Sequence, residues 1–244
     1  MARLRLDQLL VDRGLAPSRA RARDAILRGA VTVDGRSAGK PGLAVDPAAT
    51  IAIDDPAWAY VSRSALKLAA GLDAFAFQVA GRAALDVGAS TGGFTEVLLQ
   101  RGARAVTAID VGHGQLHPRI AADPRVTSLE GLNARDLAAH HLAEPPGVIV
   151  CDVSFISLTL ALPPALALAA PGAVLVALVK PQFEVGRDGV GKGGLVDPAL
   201  GLDAAGRIRD WLDGREGFAV RGLIPSPIAG GDGNLEYLIG AARG

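Results

Sequence analysis

A glycine-rich stretch near residue 90 has the spacing that most directly predicts chemistry. Residues 83–94 read AALDVGASTGGF, an apolar run that reaches Asp86 and is followed by glycines at positions 88, 92 and 93. Small apolar residues that end at such a turn are typical of a strand buried on both faces, and residues 95–99 resume at helical spacing. Glycines let a ligand approach the backbone, and a following helix offers unpaired N–H groups. The stretch therefore predicts a site for a nucleotide-like cofactor.

The spacing of this turn distinguishes between cofactors. The dinucleotide fingerprint needs a second glycine where this chain has Ser90, which disfavours a nicotinamide oxidoreductase. The pattern Asp-x-Gly-x-x-x-Gly-Gly instead resembles the first motif of S-adenosylmethionine-dependent methyltransferases. That resemblance implies that the cofactor is bound by Gly88, Ala89, Ser90, Gly92, Gly93, Phe94 and Asp152. A tight turn without a ligand is the alternative that the stretch alone leaves open.

Polar residues follow two further apolar runs of the predicted sheet. Asp152 ends the run from Val148, and Lys180 ends the run from Val174. Carboxyl ends of adjacent parallel strands meet beside the cofactor turn, where open α/β sheets bind ligands. Lys67 lies on a predicted helix, and Glu236 begins the last predicted strand. A lysine of lowered pKa can act as a base while carboxylates orient it, although two ordinary ion pairs are the alternative.

Two more polar residues have positions that suit a nucleotide. Asp110 ends the second predicted strand, 22 residues after Gly88, where a carboxylate can accept hydrogen bonds from ribose hydroxyls. Asn133 follows the third strand and is predicted to meet the adenine end of the cofactor. Its alternative role is to cap a helix.

The residues around Asp152 indicate which atom is methylated. Enzymes that methylate an exocyclic amine typically have Pro-Pro and an aromatic residue after this position, whereas this chain has Val153, Ser154 and Phe155. Methylation at C5 of a base needs a cysteine nucleophile. Cys151 precedes Asp152 on a strand and should face the opposite side of the sheet. Methylation of an oxygen remains.

The sequence patterns of the strands and helices that must position these residues predict an α/β fold. Alternating apolar runs and helical patterns indicate seven strands that end in an antiparallel hairpin. This arrangement resembles the Rossmann-like sheet of class I methyltransferases. The predicted strands cover residues 83–86, 105–110, 126–129, 148–152, 174–180, 218–224 and 235–241, and helices are predicted over residues 61–75 and 199–212.

The first 54 residues form a separate, basic α+β module. Residues 1–40 hold nine Lys and Arg against four Asp, a formal net charge of +5, which leaves −5 for the rest. A helix from Asp7, a second helix capped by Ser18, and a hairpin at Asp34 and Gly35 resemble the S4 RNA-binding domain. The residues predicted to bind RNA are Arg3, Arg5, Arg13, Arg19, Arg21, Arg23 and Arg28. A linker over residues 55–60 then leads to the second domain, residues 61–244.

The cysteine count and the N-terminal residues indicate the cellular compartment. The single cysteine excludes an internal disulfide framework and favours a reducing compartment, and the N-terminus lacks the apolar stretch of a signal peptide. The cytoplasm is therefore predicted. Residues 153–179 contain no charged side chain and could span a bilayer by length, but prolines at 163, 164 and 171 divide them. We interpret this segment as a buried helix, a turn and a buried strand, with no stable membrane association.

From Val61 onward the chain resembles the FtsJ-like RNA 2'-O-methyltransferases. Their Lys-Asp-Lys-Glu tetrad matches Lys67, Asp152, Lys180 and Glu236, and with the S4 module the whole chain resembles the TlyA family through VSRSALKL, LVKPQFEVG and GNLEYL. The resemblance implies 2'-O-methylation of cytidine in ribosomal RNA, with ribosomal subunits as partners, S-adenosylmethionine as cofactor and no metal. Lys180 is then the leading candidate for the base, with Asp152 and Glu236 orienting it and Lys67 steering the hydroxyl.

Two alternatives from other functional classes remain at this stage. One is a non-catalytic RNA-binding or ribosome-assembly factor that keeps the fold without turnover. The other is a membrane-active hemolysin, an activity associated with the family name, which only the uncharged residues 153–179 support.

Overall fold

The computed structural model describes residues 3–244, which divide into two compact units. The first unit ends at Trp58 and the second comprises Ala59–Gly244. The first unit contains β1 (Leu4–Arg5), α1 (Leu6–Asp12), α2 (Arg19–Leu27), β2 (Val31–Val33), β3 (Arg36–Ser37), β4 (Ala44–Val45) and β5 (Ile51–Ile53). β2 pairs antiparallel with both β3 and β5, and β1 pairs antiparallel with β4.

Local sequence signals account for the two helices of the first unit. The Ser18 hydroxyl accepts a hydrogen bond from the Arg21 backbone N–H at 3.3 Å, so the predicted cap at the start of α2 is confirmed. Leu6, Leu10 and Ile26 are fully buried between the helices and the small sheet. Trp58 packs against this core, as expected for an aromatic residue near a domain boundary.

A buried carboxylate connects the ends of this unit's helices. Asp7 is fully buried in α1, and its carboxylate accepts hydrogen bonds from Arg5 and from Arg19, each at 3.0 Å. The hydrogen bond from Arg5, with a further contribution from Arg19, lowers the pKa of Asp7 to about 2. Asp7 is therefore ionised at neutral pH although it lies inside the fold.

The second unit is built around one large sheet. Its strands are β6 (Ala83–Val87), β7 (Ala105–Asp110), β8 (Val126–Glu130), β9 (Val148–Cys151), β10 (Val174–Val179), β11 (Phe218–Pro225) and β12 (Tyr237–Arg243). Its helices are α3 (Ala65–Ala74), α4 (Gly93–Gln100), α5 (Pro118–Ala121), α6 (Leu158–Ala161), α7 (Pro163–Ala167) and α8 (Pro198–Leu212).

The strand order confirms the predicted class I methyltransferase sheet. The order is β11-β12-β10-β9-β6-β7-β8, so that β6 and β9 are neighbours at the centre. Strands β10, β9, β6, β7 and β8 run parallel, and β12 is antiparallel to both β10 and β11. All residues of β6, β9 and β10 are buried, as their largely apolar sequences predict, and Asp86 of β6 is the one acid among them.

Hydrophobic cores cover both faces of this sheet. Helices α3, α4 and α5 pack on one face through residues such as Leu68, Leu98 and Ile120. Helices α6, α7 and α8 pack on the other face, where Leu158, Leu166 and Ile208 lie. The second unit therefore has three layers, with helices on both faces of the sheet. The predicted site residues Asp152 and Lys180 follow the carboxyl ends of two of its strands.

The uncharged segment of residues 153–179 is part of the second core. Its predicted single helix is wrong in one respect, because the structure has two short helices that meet at Leu162. Pro163 has no backbone N–H to continue α6, but it suits the first position of α7. Among residues 3–244, no helix combines the length and apolar character that a membrane span requires.

We predict that Asp7→Asn destabilises the first unit. The substitution removes a charged acceptor of two arginines, and we expect a loss of about 1–3 kcal/mol in unfolding free energy. The stabilising effect of the wild-type carboxylate is complete above pH 3.8 and is lost as the pH falls through about 2. Hydrogen exchange of α1 amides in the full-length chain measures this change.

Asp12→Asn is the matched control, because Asp12 is an exposed acid of the same helix whose carboxylate accepts a hydrogen bond from Gln8. Equal exchange rates in both variants would contradict a stabilising role for Asp7.

Candidate active site

The glycine-rich turn lies directly against the end of a neighbouring strand. Gly88 follows β6 with φ of +84°, and a Cβ atom there would lie 2.7 Å from the backbone carbonyl oxygen of Asp152. Only glycine tolerates both the positive φ and this contact. The turn predicted to hold the cofactor is therefore fixed beside the carboxylate predicted to act in catalysis.

Asp110 holds the turn in place from the other side. Its Oδ2 accepts a hydrogen bond from the Ser90 backbone N–H at 2.8 Å, and its Oδ1 accepts one from Gly112 at 2.7 Å. Each carboxylate oxygen has a second lone pair, so both can still accept a hydrogen bond from a ribose hydroxyl. The predicted ribose contact of Asp110 is compatible with this geometry and stays a prediction.

A cavity of about 110 Å³ opens above the turn. Its lining combines hydroxyls, backbone and one carboxylate, from Ser62, Ser64, Gly88, Ala89, Ser90, Thr91, Phe94 and Asp152. Five of these were predicted to bind the cofactor. Backbone groups, hydroxyls and an acid fit one end of S-adenosylmethionine, which carries a carboxylate, an amine and a positive sulfur. The cavity is smaller than the roughly 300–1,000 Å³ of a complete small-molecule site.

Four other predicted cofactor residues do not line this cavity. A Cβ atom added at Gly92 or Gly93 would meet neighbouring side chains, and Asp110 supports the turn from β7. The Asn133 side-chain oxygen accepts a hydrogen bond from the Arg135 backbone N–H at 3.0 Å and caps a 3-10 turn at residues 134–136. The alternative role that the sequence offered for Asn133 is thus present, and its adenine contact stays a prediction.

The four tetrad residues form two ion pairs. Lys180 Nζ lies 2.7 Å from Asp152 Oδ1 and also donates to the Ser154 hydroxyl at 2.8 Å. Lys67 on α3 donates to the carboxylate of Glu236, which immediately precedes β12. The second pair is almost fully buried, with 6% and 3% of the two side chains exposed.

A second cavity of about 390 Å³ lies next to the first ion pair. Lys180 and Glu236 both line it, whereas Asp152 lines the smaller cavity. The remaining lining residues include Ser154, Phe155, Gln182, Phe183 and Asp232. The contact between Asp152 and Lys180 therefore joins the two cavities. Two ion pairs are thus present, as in the alternative that the sequence offered, and the catalytic role of the tetrad stays a prediction.

Two aromatic residues, one of them highly exposed, line the larger cavity. Phe155 is 90% exposed with a positive φ of 66°, and its ring centroid lies 5.2 Å from that of Phe183. A bulky residue held exposed in this backbone conformation is a strained feature of the kind found at functional sites. Sequence reasoning assigned neither phenylalanine a role.

Glu184 connects the two loops that carry this aromatic pair. Its carboxylate accepts hydrogen bonds from the Ser157 hydroxyl at 2.6 Å and the Leu158 backbone N–H at 2.8 Å. Burial raises the pKa of Glu184, against the lowering effect of these hydrogen bonds. The loops after β9 and β10 are therefore held together close to Lys180.

The glycine-rich segment after Glu184 is anchored by a residue that the sequence did not single out. Buried Asn234 accepts a hydrogen bond from the Val196 backbone N–H at 2.9 Å and donates to the Gly194 carbonyl at 2.8 Å. Gly194 lines the larger cavity. Asn234 thus fixes one wall of that cavity from the loop that also delivers Glu236.

Two buried groups near the site have displaced pKa values. Cys151 lies in the core, where burial raises the pKa of its thiol, in agreement with the expectation that it is no nucleophile. Burial raises the pKa of Asp86 to about 7, a hydrogen bond from Thr95 opposes that rise, and the charge of Asp152 adds to it. Asp86 Oδ2 accepts that bond at 2.6 Å, while Oδ1 is buried and finds no donor within residues 3–244.

The predicted RNA-binding arginines differ in their surroundings. Arg3 and Arg23 are exposed. The others donate to groups of the first unit: Arg5 and Arg19 to Asp7, Arg13 to the Ala49 carbonyl, Arg21 to the Ala57 carbonyl and Arg28 to Asp55. Arg5 and Arg19 remain 57% and 53% exposed, whereas Arg28 is only 16% exposed. RNA binding by this set stays a prediction, and Arg28 is the member least accessible to a phosphate.

Comparison with known proteins identifies the family to which this geometry belongs. Residues 60–243 match the FtsJ-like methyltransferase family, and residues 4–51 match the S4 domain. The chain belongs to the FtsJ-like methyltransferases. Within residues 3–244 the structure brings no three His, Cys, Asp or Glu side chains together as a metal site.

Similar full-length proteins carry two kinds of name. The 16S/23S rRNA (cytidine-2'-O)-methyltransferase TlyA of Mycobacterium tuberculosis is 48% identical over 97% of this chain and 89% of its own length. Hemolysin A of Brachyspira hyodysenteriae is 38% identical over 96% of this chain and 98% of its own length. The solved structure of a hemolysin-named protein from Streptococcus thermophilus covers 100% of this chain and 89% of its own, with 38% identity and a TM-score of 0.76. Relatives of both names thus align over nearly the whole of this chain.

We predict that Asp86 makes this FtsJ-like unit less stable as the pH rises. Because the pKa of Asp86 is raised from 3.8 to about 7 in the native state, that state keeps a proton that the unfolded chain releases over this interval. Unfolding free energy should therefore fall between pH 4 and pH 7, and Asp86→Asn should flatten that dependence. Urea unfolding at a series of pH values measures it.

Asp188→Asn serves as the comparison variant, since Asp188 is an exposed acid of the same unit. An Asp86→Asn profile as steep as that of the wild type would refute the assignment.

Proposed function

We propose that this protein transfers a methyl group from S-adenosylmethionine to the ribose 2'-hydroxyl of cytidine in ribosomal RNA. The observation that carries the proposal is the ion pair between Asp152 and Lys180, which joins the cofactor-turn cavity to a larger cavity. A basic residue at that junction is where a hydroxyl would meet a methyl donor. The Mycobacterium tuberculosis relative, named for this reaction on 16S and 23S rRNA, supports the choice of substrate.

A ribose hydroxyl is a weak nucleophile, and the tetrad is proposed to remove its proton and to orient it. S-adenosylmethionine carries its methyl group on a positively charged sulfur, which makes that carbon open to attack by oxygen. Lys180 is the proposed base: it accepts the hydroxyl proton as the oxygen bonds to the methyl carbon and the carbon–sulfur bond breaks, which releases S-adenosylhomocysteine. Asp152 and Ser154 hold Lys180 Nζ in position, and Glu236, which is paired with Lys67, lines the same cavity as Lys180. Alignment of the reacting atoms by this fixed frame accounts for a large part of the rate.

The aromatic pair gives the target base a place to bind. A nucleotide whose ribose reaches Lys180 must leave its stack, and unstacked bases bind to proteins by stacking on aromatic side chains. Phe155 offers an exposed ring on the wall of the cavity that Lys180 lines. We infer that the cytosine ring stacks on Phe155.

The first unit is proposed to bind structured ribosomal RNA. Its S4 match and the net charge of +5 over residues 1–40 support contacts to phosphates. Arg3 and Arg23 are exposed, and Arg5 and Arg19 present exposed guanidinium edges beside their bonds to Asp7. Ribosomal subunits are then the partners, and the protein acts in the cytoplasm, where they are found.

Transfer of labelled methyl from S-adenosylmethionine to purified 30S and 50S subunits, measured separately, tests the proposal. Nucleoside analysis should find 2'-O-methylcytidine in one or both. With cofactor binding confirmed, absence of label in both subunits and in naked ribosomal RNA would favour the non-catalytic RNA-binding alternative. A liposome leakage assay on the same preparation tests the hemolysin alternative.

We predict that Lys180→Ala lowers the rate of methyl transfer by about 10²–10⁴-fold, the usual contribution of a positioned base. Cofactor affinity, measured by calorimetry, should stay close to that of the wild type because Lys180 lines the larger cavity. Lys192→Ala is the control, since Lys192 is an exposed lysine of the glycine-rich segment. Activity retained in Lys180→Ala would sink the assignment of the base.

We predict that Phe155→Ala lowers the catalytic efficiency with RNA without lowering the affinity for the cofactor. Stacking on an aromatic residue contributes about 1–3 kcal/mol per base, so kcat/KM for RNA should fall by about 5–150-fold. Leu160→Ala, which truncates another exposed apolar side chain after β9, should have little effect. Equal losses in the two variants would argue against a specific base contact at Phe155.

A further inference from the structure

The larger cavity contains a carboxylate that the proposed chemistry does not use. Asp232 is exposed and lines this cavity, in the loop that leads to Glu236. The charged tetrad residues that line the same cavity already have charged partners. For the Asp232 side chain, residues 3–244 provide one hydrogen bond, from Gln182 Nε2 to Oδ2 at 3.4 Å. The carboxylate therefore keeps lone pairs that a ligand can use.

The orientation of Gln182 identifies this wall of the cavity as an acceptor. A carboxylate only accepts hydrogen bonds, so the Gln182 amide has to turn its NH₂ group toward Asp232. The Oε1 atom of Gln182 is then buried, and it meets no donor among residues 3–244. Gln182 thus fixes one oxygen of Asp232, and the other oxygen is left for a ligand.

Asp232 shares its cavity with the aromatic pair that is proposed to stack the target base. Gln182 directly precedes Phe183, whose ring centroid lies 5.2 Å from that of Phe155. All four of these residues line the cavity, and its volume of about 390 Å³ lies within the usual range for a small-molecule site. A base stacked on Phe155 therefore enters a cavity whose polar wall includes a carboxylate.

A negative charge in a cavity for RNA has a chemical explanation in the polar edge of the base. Flipped and single-stranded bases are read by hydrogen bonds to that edge. Cytosine presents an exocyclic N4 amine, which donates and which aspartate can accept, whereas uracil presents the O4 acceptor at the same position. A carboxylate thus attracts one pyrimidine and repels the other.

We propose that Asp232 determines the specificity for cytidine by accepting a hydrogen bond from the N4 amine of the target base, an inference that rests on the proposed function. Gln182 is a positioning residue that holds the carboxylate toward the cavity. Uracil is rejected because its O4 atom meets the carboxylate with no proton between them. Specificity then comes from an attractive contact with one base and a repulsive contact with the other.

Asp232→Asn tests the proposal because it keeps the size of the side chain and exchanges one acceptor for a donor. The Gln182 NH₂ group can bond to the new amide oxygen, which turns the new NH₂ group toward the base. With subunits that the wild type labels at a cytidine, kcat/KM should fall by about 10–100-fold, as a hydrogen bond to a charged group is lost. With subunits from a strain whose rRNA gene encodes uridine at that position, kcat/KM should rise.

Two further variants separate base recognition from a general effect of charge. Asp188→Asn also removes one exposed negative charge, but Asp188 does not line the cavity, so the cytidine-to-uridine ratio of kcat/KM should not change. Asp232→Ala should lower kcat/KM with cytidine without the gain with uridine, because it adds no donor. Thermal unfolding and cofactor affinity, measured by calorimetry, should match the wild type in all three variants.

Each outcome distinguishes the specificity from the reaction. A cytidine-to-uridine ratio in Asp232→Asn within threefold of the wild-type ratio would overturn the role of Asp232, as would a wild type that methylates both substrates equally. In either case the proposed reaction stands. If the wild type methylates neither subunit nor naked ribosomal RNA, the proposed function and the specificity residue fall together.

Discussion

The close approach of Gly88 to the Asp152 backbone is the constraint on which the site depends. Strands β6 and β9 are neighbours in the sheet, and the turn after one contacts the carbonyl at the end of the other. A side chain at residue 88 would separate them. Because the contact leaves no room for one, the cofactor turn, Asp152 and its partner Lys180 are fixed in one small region at the carboxyl edge of the sheet.

The two ion pairs of the tetrad differ in what they cost the fold. Lys67 and Glu236 are nearly fully buried, and burial of two charges is weak evidence of stabilisation, since desolvation can exceed the Coulombic gain. Lys180 and Asp152 are somewhat more open, at 13% and 17% exposed, and each lines a different cavity. We propose that the first pair has a structural role and that the second pair contacts solvent and substrate.

The sequence predicted the sheet and the positions of its polar strand ends, because these depend on local pattern. Continuous apolar runs marked β6, β9 and β10, and a polar residue follows each of the latter two. The contacts of Glu96 and Glu184 could not be predicted, since they join residues 35 and 26 or 27 positions apart that only the packed fold brings together.

The position of β12 has a consequence for the order of synthesis and folding. This strand follows all the others in the sequence, yet it lies between β10 and β11 and is preceded directly by Glu236. During translation, β12 can insert between β10 and β11 only after its residues have left the exit tunnel of the ribosome. Glu236 therefore reaches Lys67 only after the other six strands of the sheet have been synthesised.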